Sequence, residues 1–201
     1  MWSLDETIFH NLASFFTIVY ILKVEETHIE GLLVIKPTIF GDERGHFFES
    51  FREDVLLKAG VQEKFVQDNQ SLSGKGILRG LHFQKDPYAQ GKLVRVINGA
   101  VLDVAVDIRK GSKTYGEHYK IELSGENKTM FYIPAGFAHG FVTLTSDTVF
   151  CYKCTNYYHK DSEGSVRWDS PKLNIDWGVN SPVLSEKDLE APLFSEFESP
   201  F

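Results

Sequence analysis

Between Gly76 and Arg95 the chain reads Gly-Ile-Leu-Arg-Gly-Leu-His-Phe-Gln-Lys-Asp-Pro-Tyr-Ala-Gln-Gly-Lys-Leu-Val-Arg, which packs one base, His82, among three fixed cations, Arg79, Lys92 and Arg95. They stand among strand-forming apolar residues, with Gly80 and Gly91 where the backbone must bend or approach a neighbour closely. Imidazole titrates near neutrality, so a histidine beside fixed cations can take and return a proton on an anionic substrate. The plainer alternative is a basic strand pair with one hydrogen-bonded core histidine. On a regular strand Arg79 and His82 would face opposite ways, so serving one ligand together requires a kink, and Gly80 is the place for it.

The elements that must position these groups are mostly strands. At 201 residues and 42% hydrophobic the chain fits one full-sized domain. Sixteen Phe, eight Tyr and three Trp among short Val, Ile and Thr runs lean toward an all-β core. The formal net charge of −7 excludes a nucleic-acid coat and a basic membrane-surface protein, so an anionic ligand must meet a local cluster of cations. Cys151 and Cys154 are too few for a structural zinc site, and three apart on a strand they point to opposite faces as separate packing residues. That cysteine usage fits a reducing cytoplasm.

The apolar run from Ala13 through Leu22 is too short to span a bilayer. Asp5 and Glu6 precede it where a secretory signal would carry positive charge, so neither cleavage nor a membrane helix is expected. It reads as a short packing helix or an upstream extension. From Leu32 a buried strand runs to a break at Pro37, Gly41 to Gly45 form a polar turn, and His46 to Glu49 are extended again. Phe51, Val55, Leu56 and Ala59 recur at helical spacing between Ser50 and Val61, with Gly60 as a stop. Gln67 to Gln70 read as a polar patch, followed by a Ser/Gly-rich turn from Ser71 to Gly76.

Asn98-Gly99 is the strongest short-range hairpin signal, joining Lys92–Ile97 to Ala100–Arg109. In the second arm Leu102, Val104, Val106 and Ile108 make one apolar face. Tyr119–Leu123, Thr129–Ile133, Gly140–Leu144 and Val149–Tyr157 supply further short strands, which together predict a sandwich or jelly-roll barrel. Beyond Ser165 the strand rhythm is lost, and Ser185 reads as a helix N-cap with Asp188 as its capping-box partner.

The segment from Ile133 to Gly140, Ile-Pro-Ala-Gly-Phe-Ala-His-Gly, resembles the second half of the cupin signature, a tight turn that aims a histidine into a barrel. The first half of that signature uses a His-x-His pair. Here the stretch is His82-Phe83-Gln84, one imidazole short, so a metal-free cupin is expected. Further motifs follow in order: Gly41-Asp-Glu-Arg-Gly, Phe48-Glu-Ser, Gln67-Asp-Asn, Leu78-Arg-Gly-Leu-His-Phe-Gln, Gln90-Gly-Lys-Leu-Val-Arg, Asp103-Val-Ala-Val-Asp-Ile-Arg, Pro134-Ala-Gly-Phe-Ala-His-Gly-Phe and Thr155-Asn-Tyr-Tyr. In this order the chain resembles the dTDP-4-dehydrorhamnose 3,5-epimerase family from roughly Ile21 to Pro192. Residues 1–20 lie outside the resemblance, and 21–201 read as a single cupin-like epimerase domain.

The resemblance implies an isomerase acting without a cofactor on a dTDP-linked 4-keto-6-deoxyhexose, whose C4 ketone acidifies the hydrogens at C3 and C5. His82 matches the family's base and Tyr152 its acid on the opposite face. Asp188 matches the carboxylate that fixes the histidine's tautomer, and Lys92 the cation near the developing C4 enolate. Arg44, Glu49, Gln67, Asn69, Arg79, His139, Glu163 and Lys187 match positions that hold nucleotide and sugar, and Tyr157 is the candidate for stacking on thymine or lining the sugar pocket. His46 stands where the family often has an aromatic residue. The family's habit of forming homodimers with exchanged N-terminal strands points to Ile21 to Glu26.

Three other readings stay open. One is an epimerase that inverts a single centre on a related nucleotide sugar. The second is a metal-dependent cupin enzyme, which the missing imidazole at Gln84 argues against. The third is a catalytically silent sugar-nucleotide binding module, against which His82, Lys92, Tyr152 and Asp188 stand together.

Overall fold

The computed structural model describes residues 22–201; the extension over residues 1–20 and Ile21 lie outside the described residues, and with them all but the last residue of the apolar run. In chain order the strands are β1 (Leu22–Glu26), β2 (Leu33–Pro37), β3 (Phe40–Asp42), β4 (Gly45–Phe47), β5 (Gln67–Ser73), β6 (Leu78–Gln84), β7 (Lys92–Asn98), β8 (Ala100–Asp107), β9 (His118–Ser124), β10 (Met130–Ile133), β11 (Phe137–Thr143), β12 (Thr148–Cys154) and β13 (Glu163–Ser165), with short helices α1 (Glu53–Lys58) and α2 (Glu186–Leu189). They form a six-stranded antiparallel sheet ordered β1-β2-β10-β7-β12-β5, a five-stranded one ordered β13-β6-β11-β8-β9, and the small hairpin β3-β4. This is the all-β jelly roll expected from the strand spacing.

Three apolar clusters hold the layers together. Between the sheets, Val34, Val94, Val96, Phe131, Ile133 and Phe150 from one wall meet Val101, Ala105, Leu123, Phe137 and Phe141 from the other. Outside the five-stranded sheet, Leu78, Leu81, Phe83, Val104, Val106, Ile108, Ala138 and Val142 lie under the C-terminal segment through Val166, Leu173, Trp177 and Phe194. Outside the six-stranded sheet, Leu33, Ile35, Leu93, Met130 and Tyr132 are covered by Leu56 and Val61. Covered on both faces, β11 is buried at every residue. At roughly 1.5–3 kcal/mol for each fully buried large side chain, these clusters leave part of the interior free to be polar.

The Asn98-Gly99 turn is not a hairpin. β7 pairs with β10 and β12 in one sheet, whereas β8 pairs with β11 and β9 in the other. The reason lies in the core: Val94 and Val96 of β7 meet Val101 and Ala105 of β8 across the inter-sheet gap, which neighbours in a single sheet cannot do. Gly99, at φ +80°, therefore carries the chain from one sheet to the other.

Two more expectations change. The polar patch Gln67–Gln70 and part of the turn after it are strand β5, an edge strand paired to β12 from Gln67 opposite Cys154 to Ser73 opposite Thr148. Gln67, Asn69, Ser71 and Ser73 are its more buried positions, so the period-two signal is present in burial and hidden in residue type. The helix α1 is one and a half turns, shorter than Ser50 to Val61, with Gly60 at φ +94° ending the turn that follows it. Cys154 is buried and Cys151 is not, both free, as the strand geometry required.

Candidate active site

The kink at Gly80 is what brings Arg79 and His82 to one side. Between them β6 advances three residues while its partner β11 advances only two, His82 lying opposite His139 and Arg79 opposite Phe141. The extra residue is a bulge that restores the parity, so the two side chains share a face. Gly80 has φ +125°, and a Cβ there would stand 2.5 Å from the Gly140 Cα and 2.7 Å from the His139 carbonyl oxygen, so no other residue fits.

Asp188 reaches His82 from 106 residues away in sequence. The returning chain is fastened beside β6 by a parallel bridge of Val183 to Ile77, with Leu78 N–H donating to the Val183 carbonyl at 2.9 Å. Two residues later Ser185 caps α2, and Asp188 lies on that short helix, 2% exposed. Its Oδ1 is 2.5 Å from His82 Nε2, and its Oδ2 accepts from Ser185 Oγ at 2.8 Å. Burial pushes the Asp188 carboxyl up, but His82, Ser185 and the Gly80 N–H together hold it below the ordinary carboxylate range. An ionised carboxylate only accepts, so the His82 nitrogen that faces it carries hydrogen.

A second imidazole–carboxylate pair lies alongside. His139 Nε2 is 3.0 Å from both oxygens of Asp103 on β8, a residue with no exposed surface. Burial lowers the His139 pKa, the charges of Lys92 and His82 lower it further, and Asp103 opposes them.

Across the interior, β7 and β12 of the six-stranded sheet supply Lys92 and Tyr152. Among the described residues the Lys92 ammonium makes no hydrogen bond or ion pair. Burial lowers its pKa, while Cys154, Asp103 and Glu163 act the other way. Burial, first, raises the Tyr152 phenol, with Asn69 and Arg79 among the groups opposing it, so the phenol keeps its proton. Arg79, His82, Lys92, His139, Tyr152, Ser185 and Asp188 line one cavity of about 240 Å³, with Asn69, Gln70, Ser71, Phe141 and Phe150 completing its wall. An adjoining space of about 500 Å³ shares Asn69, Gln70, His82, Lys92 and Tyr152 and adds Gln67, Phe83, Gln84, Gln90, Tyr158 and Glu163. Together these spaces are of the size that buries a small organic ligand.

The rim of the larger space is laced by side-chain amides. Gln84, 5% exposed, donates to the carbonyls of Tyr88 and Tyr157 at 2.7 and 3.1 Å and accepts from His159 N–H at 2.7 Å. Gln90 donates to the Asn156 carbonyl at 2.7 Å, and the Tyr88 and His159 rings stack 3.9 Å apart. The residue where a metal cupin has its second imidazole is thus committed to two loops. Gln67 accepts from Tyr158 N–H at 2.9 Å and donates to Asn69.

Tyr158, not Tyr157, lines the space, and its hydroxyl donates to Glu163 at 3.2 Å while Lys187 forms an ion pair with the same carboxylate. Tyr157 is 63% exposed outside the lining. Arg44 lies apart on the β3-β4 turn, paired with Asp42, and Glu49 is 3.5 Å from Arg52; neither borders these spaces. Asp103, Phe141 and Tyr158 stand within the motifs of the resemblance with no role assigned to them, and Phe150 is read only as part of a strand. Only Asp103 could have been found, as a carboxylate alternating with Ala105 and Asp107 on a strand that the core needed on both faces. Arg95, from the opening stretch, faces instead a depression on the outer side of the six-stranded sheet with Ser50, Asp68, Cys151 and Lys153. Among the described residues no three His, Cys, Asp or Glu side chains converge as a metal site would require, and no helix is long and apolar enough to cross a membrane.

Comparison with known proteins places the chain in a family. A family model described as dTDP-4-dehydrorhamnose 3,5-epimerase matches residues 26–196. A dTDP-4-dehydrorhamnose 3,5-epimerase from Shigella flexneri is 50% identical over 174 residues, covering 86% of this chain and 96% of the relative. The crystal structure of the enzyme of that name from Elizabethkingia anophelis superposes with a TM-score of 0.85 at 49% identity, covering 88% of this chain and 98% of that one. A dTDP-6-deoxy-D-glucose-3,5-epimerase from Legionella pneumophila, solved in complex with dTDP-4-keto-L-rhamnose, gives a TM-score of 0.84 at 50% identity over 88% of this chain and 95% of that one. The chain belongs to the dTDP-4-dehydrorhamnose 3,5-epimerase family, a family of isomerases.

Proposed function

We propose that the chain inverts C3 and C5 of dTDP-4-dehydro-6-deoxy-D-glucose to give dTDP-4-dehydro-L-rhamnose. His82 removes the proton beside the C4 ketone, Asp188 supports the imidazolium that forms, and Tyr152 returns a proton to the other face of the ring. Lys92 meets the negative charge that develops on the C4 oxygen. The observation that carries the reading is that a histidine held by a carboxylate on one sheet and a protonated phenol on the other border a single cavity, together with a lysine that has no hydrogen-bond or ion-pair partner among the described residues. An ammonium with no partner among the described residues is free to meet an enolate, where low dielectric strengthens the attraction. The Legionella relative, bound to dTDP-4-keto-L-rhamnose, supports the choice of sugar.

Within this reading Arg79, Gln67, Asn69 and His139 hold the sugar and diphosphate, and Glu163 and Lys187 hold the nucleoside end. Arg44, Glu49 and Tyr157 border neither space within one chain and have no part in this reading. The active form is a homodimer that exchanges strands at the β1 end, where β1 forms an edge of the six-stranded sheet; sedimentation of the full chain as a monomer would contradict that. The reaction is tested by incubating the chain with the 4-keto sugar in D2O and reading each carbon by NMR. Deuterium and inversion at both C3 and C5 are expected. Label at one carbon only indicates a single-centre epimerase, and label at neither sinks the proposal.

A further inference from the structure

Ser185 occupies two roles at once. As the N-cap of α2 its Oγ accepts from the Asp188 N–H at 3.3 Å, and the same oxygen donates its hydrogen to Asp188 Oδ2 at 2.8 Å. Its residue borders the 240 Å³ cavity together with His82 and Asp188. The cap is therefore joined to the chemistry: Ser185 Oγ, Asp188 Oδ2, Asp188 Oδ1 and His82 Nε2 form one continuous chain of hydrogen bonds, the last link 2.5 Å long.

We infer that Ser185 is a positioning residue for proton abstraction, acting through Asp188. A carboxylate held at one oxygen can still swing about its Cβ–Cγ bond, because that terminal torsion is broad and two-fold. A donor on the second oxygen removes this freedom, fixing the plane in which the first oxygen meets the imidazole. It also favours the ionised carboxylate, since a hydrogen bond to the charged form stabilises that form. His139 has no equivalent: its carboxylate Asp103 turns both oxygens to the same ring nitrogen and makes no other hydrogen bond among the described residues. The inference rests on His82 being the base.

The two roles of Ser185 separate experimentally because glycine is nearly as good an N-cap as serine, whereas it has no hydroxyl. The measurements are solvent deuterium uptake by the dTDP-4-keto sugar as a function of pH, KM, and the thermal midpoint, for S185G, S185T and H82A. S185G should melt within about 2 °C of the parent chain. Its exchange rate at saturating sugar should fall about tenfold with KM unchanged. The acid limb of its rate profile should move to higher pH, because Asp188 without the hydroxyl takes a proton more readily. S185T, which restores the hydroxyl, should recover most of the lost rate. Parental rate and profile in S185G, or a loss in S185T equal to that in S185G, overturns the inference. Should H82A itself retain exchange, the base assignment fails instead; inert H82A beside fully active S185G removes only the role of Ser185.

Discussion

The two imidazole–carboxylate pairs of this protein have the same chemistry and opposite surroundings. His139 and Asp103 come from neighbouring strands of one sheet, and both side chains are almost wholly buried, at 8% and 0% exposure. His82 has its carboxylate delivered by a helix beyond the sheet, and its own ring is 29% exposed toward the cavity. A pair inside a sheet is held by the ladder and cannot readily rearrange. A pair that joins a sheet to a separate segment leaves one ring face free and allows the carboxylate to be tuned by its own neighbours. If His82 is the base, as proposed, the contrast teaches that the pairing alone does not mark one: access and an adjustable partner do.

The sharpest way to break this distinction is His82→Ala, which should slow exchange at C3 and C5 by about a thousandfold while dTDP binding changes little. Exchange near the parental rate would place the base elsewhere, with His139 the obvious rival. Asp103→Ala should act on stability, lowering it by about 3 kcal/mol in urea unfolding, because it strands a buried imidazole N–H. Asp188→Ala should cost about 1 kcal/mol, since His82 can still meet water in the cavity, and should lose most of the exchange rate. If the two variants were equally destabilised, the environments would not differ as described. Tyr152→Phe should slow inversion by about tenfold or more and proton removal less; a parallel fall in both would mean that the phenol is not a separate acid.

The smallest effects are those of pH, and they separate the pairs by window. His139 is held below its ordinary value of 6.5, so between that value and its folded one the unfolded chain binds the extra proton. Its contribution to stability is complete above 6.5 and is lost as pH falls through the folded value. His139→Gln should flatten this slope in unfolding curves recorded between about pH 7.5 and about pH 5. Asp188 is also depressed, but from 3.8, so its contribution is complete above that value and fades only in stronger acid. Asp107 behaves likewise: burial raises it, but Arg109, Ser112 and Thr114 bring its carboxyl down to about 2. A slope between pH 5 and 6.5 that persists in His139→Gln would assign it to another group.

Much of this was legible in the residues, for identifiable reasons. The parity conflict between Arg79 and His82 demanded a kink, and Gly80 was the residue able to supply one; the bulge against β11 does so. Ser185 and Asp188 announced a capping box because the spacing is local. Failures came where a rule assumed an apolar interior. β5 was passed over since Gln67, Asn69 and Ser71 face a polar space, and the Asp103 face of β8 looked like the outer one although Asp103, Ala105 and Asp107 are all fully buried. Asn98-Gly99 has the composition of a hairpin, but which strand a turn leads to depends on packing across the gap, and no local rule contains that. Tyr158 and Tyr157 differ by one residue, and beyond the end of β12 strand alternation no longer says which one points inward.

Phe141 on β11 and Phe150 on β12 stack with their ring centroids 4.1 Å apart, one from each sheet, on the wall of the cavity that holds His82 and Tyr152. Two hydrocarbon rings, neither able to accept or release a proton, therefore bridge the two sheets that carry His82 and Tyr152. A search for the determinants of stereochemical outcome in this molecule should accordingly include its greasiest contacts as well as its charged ones.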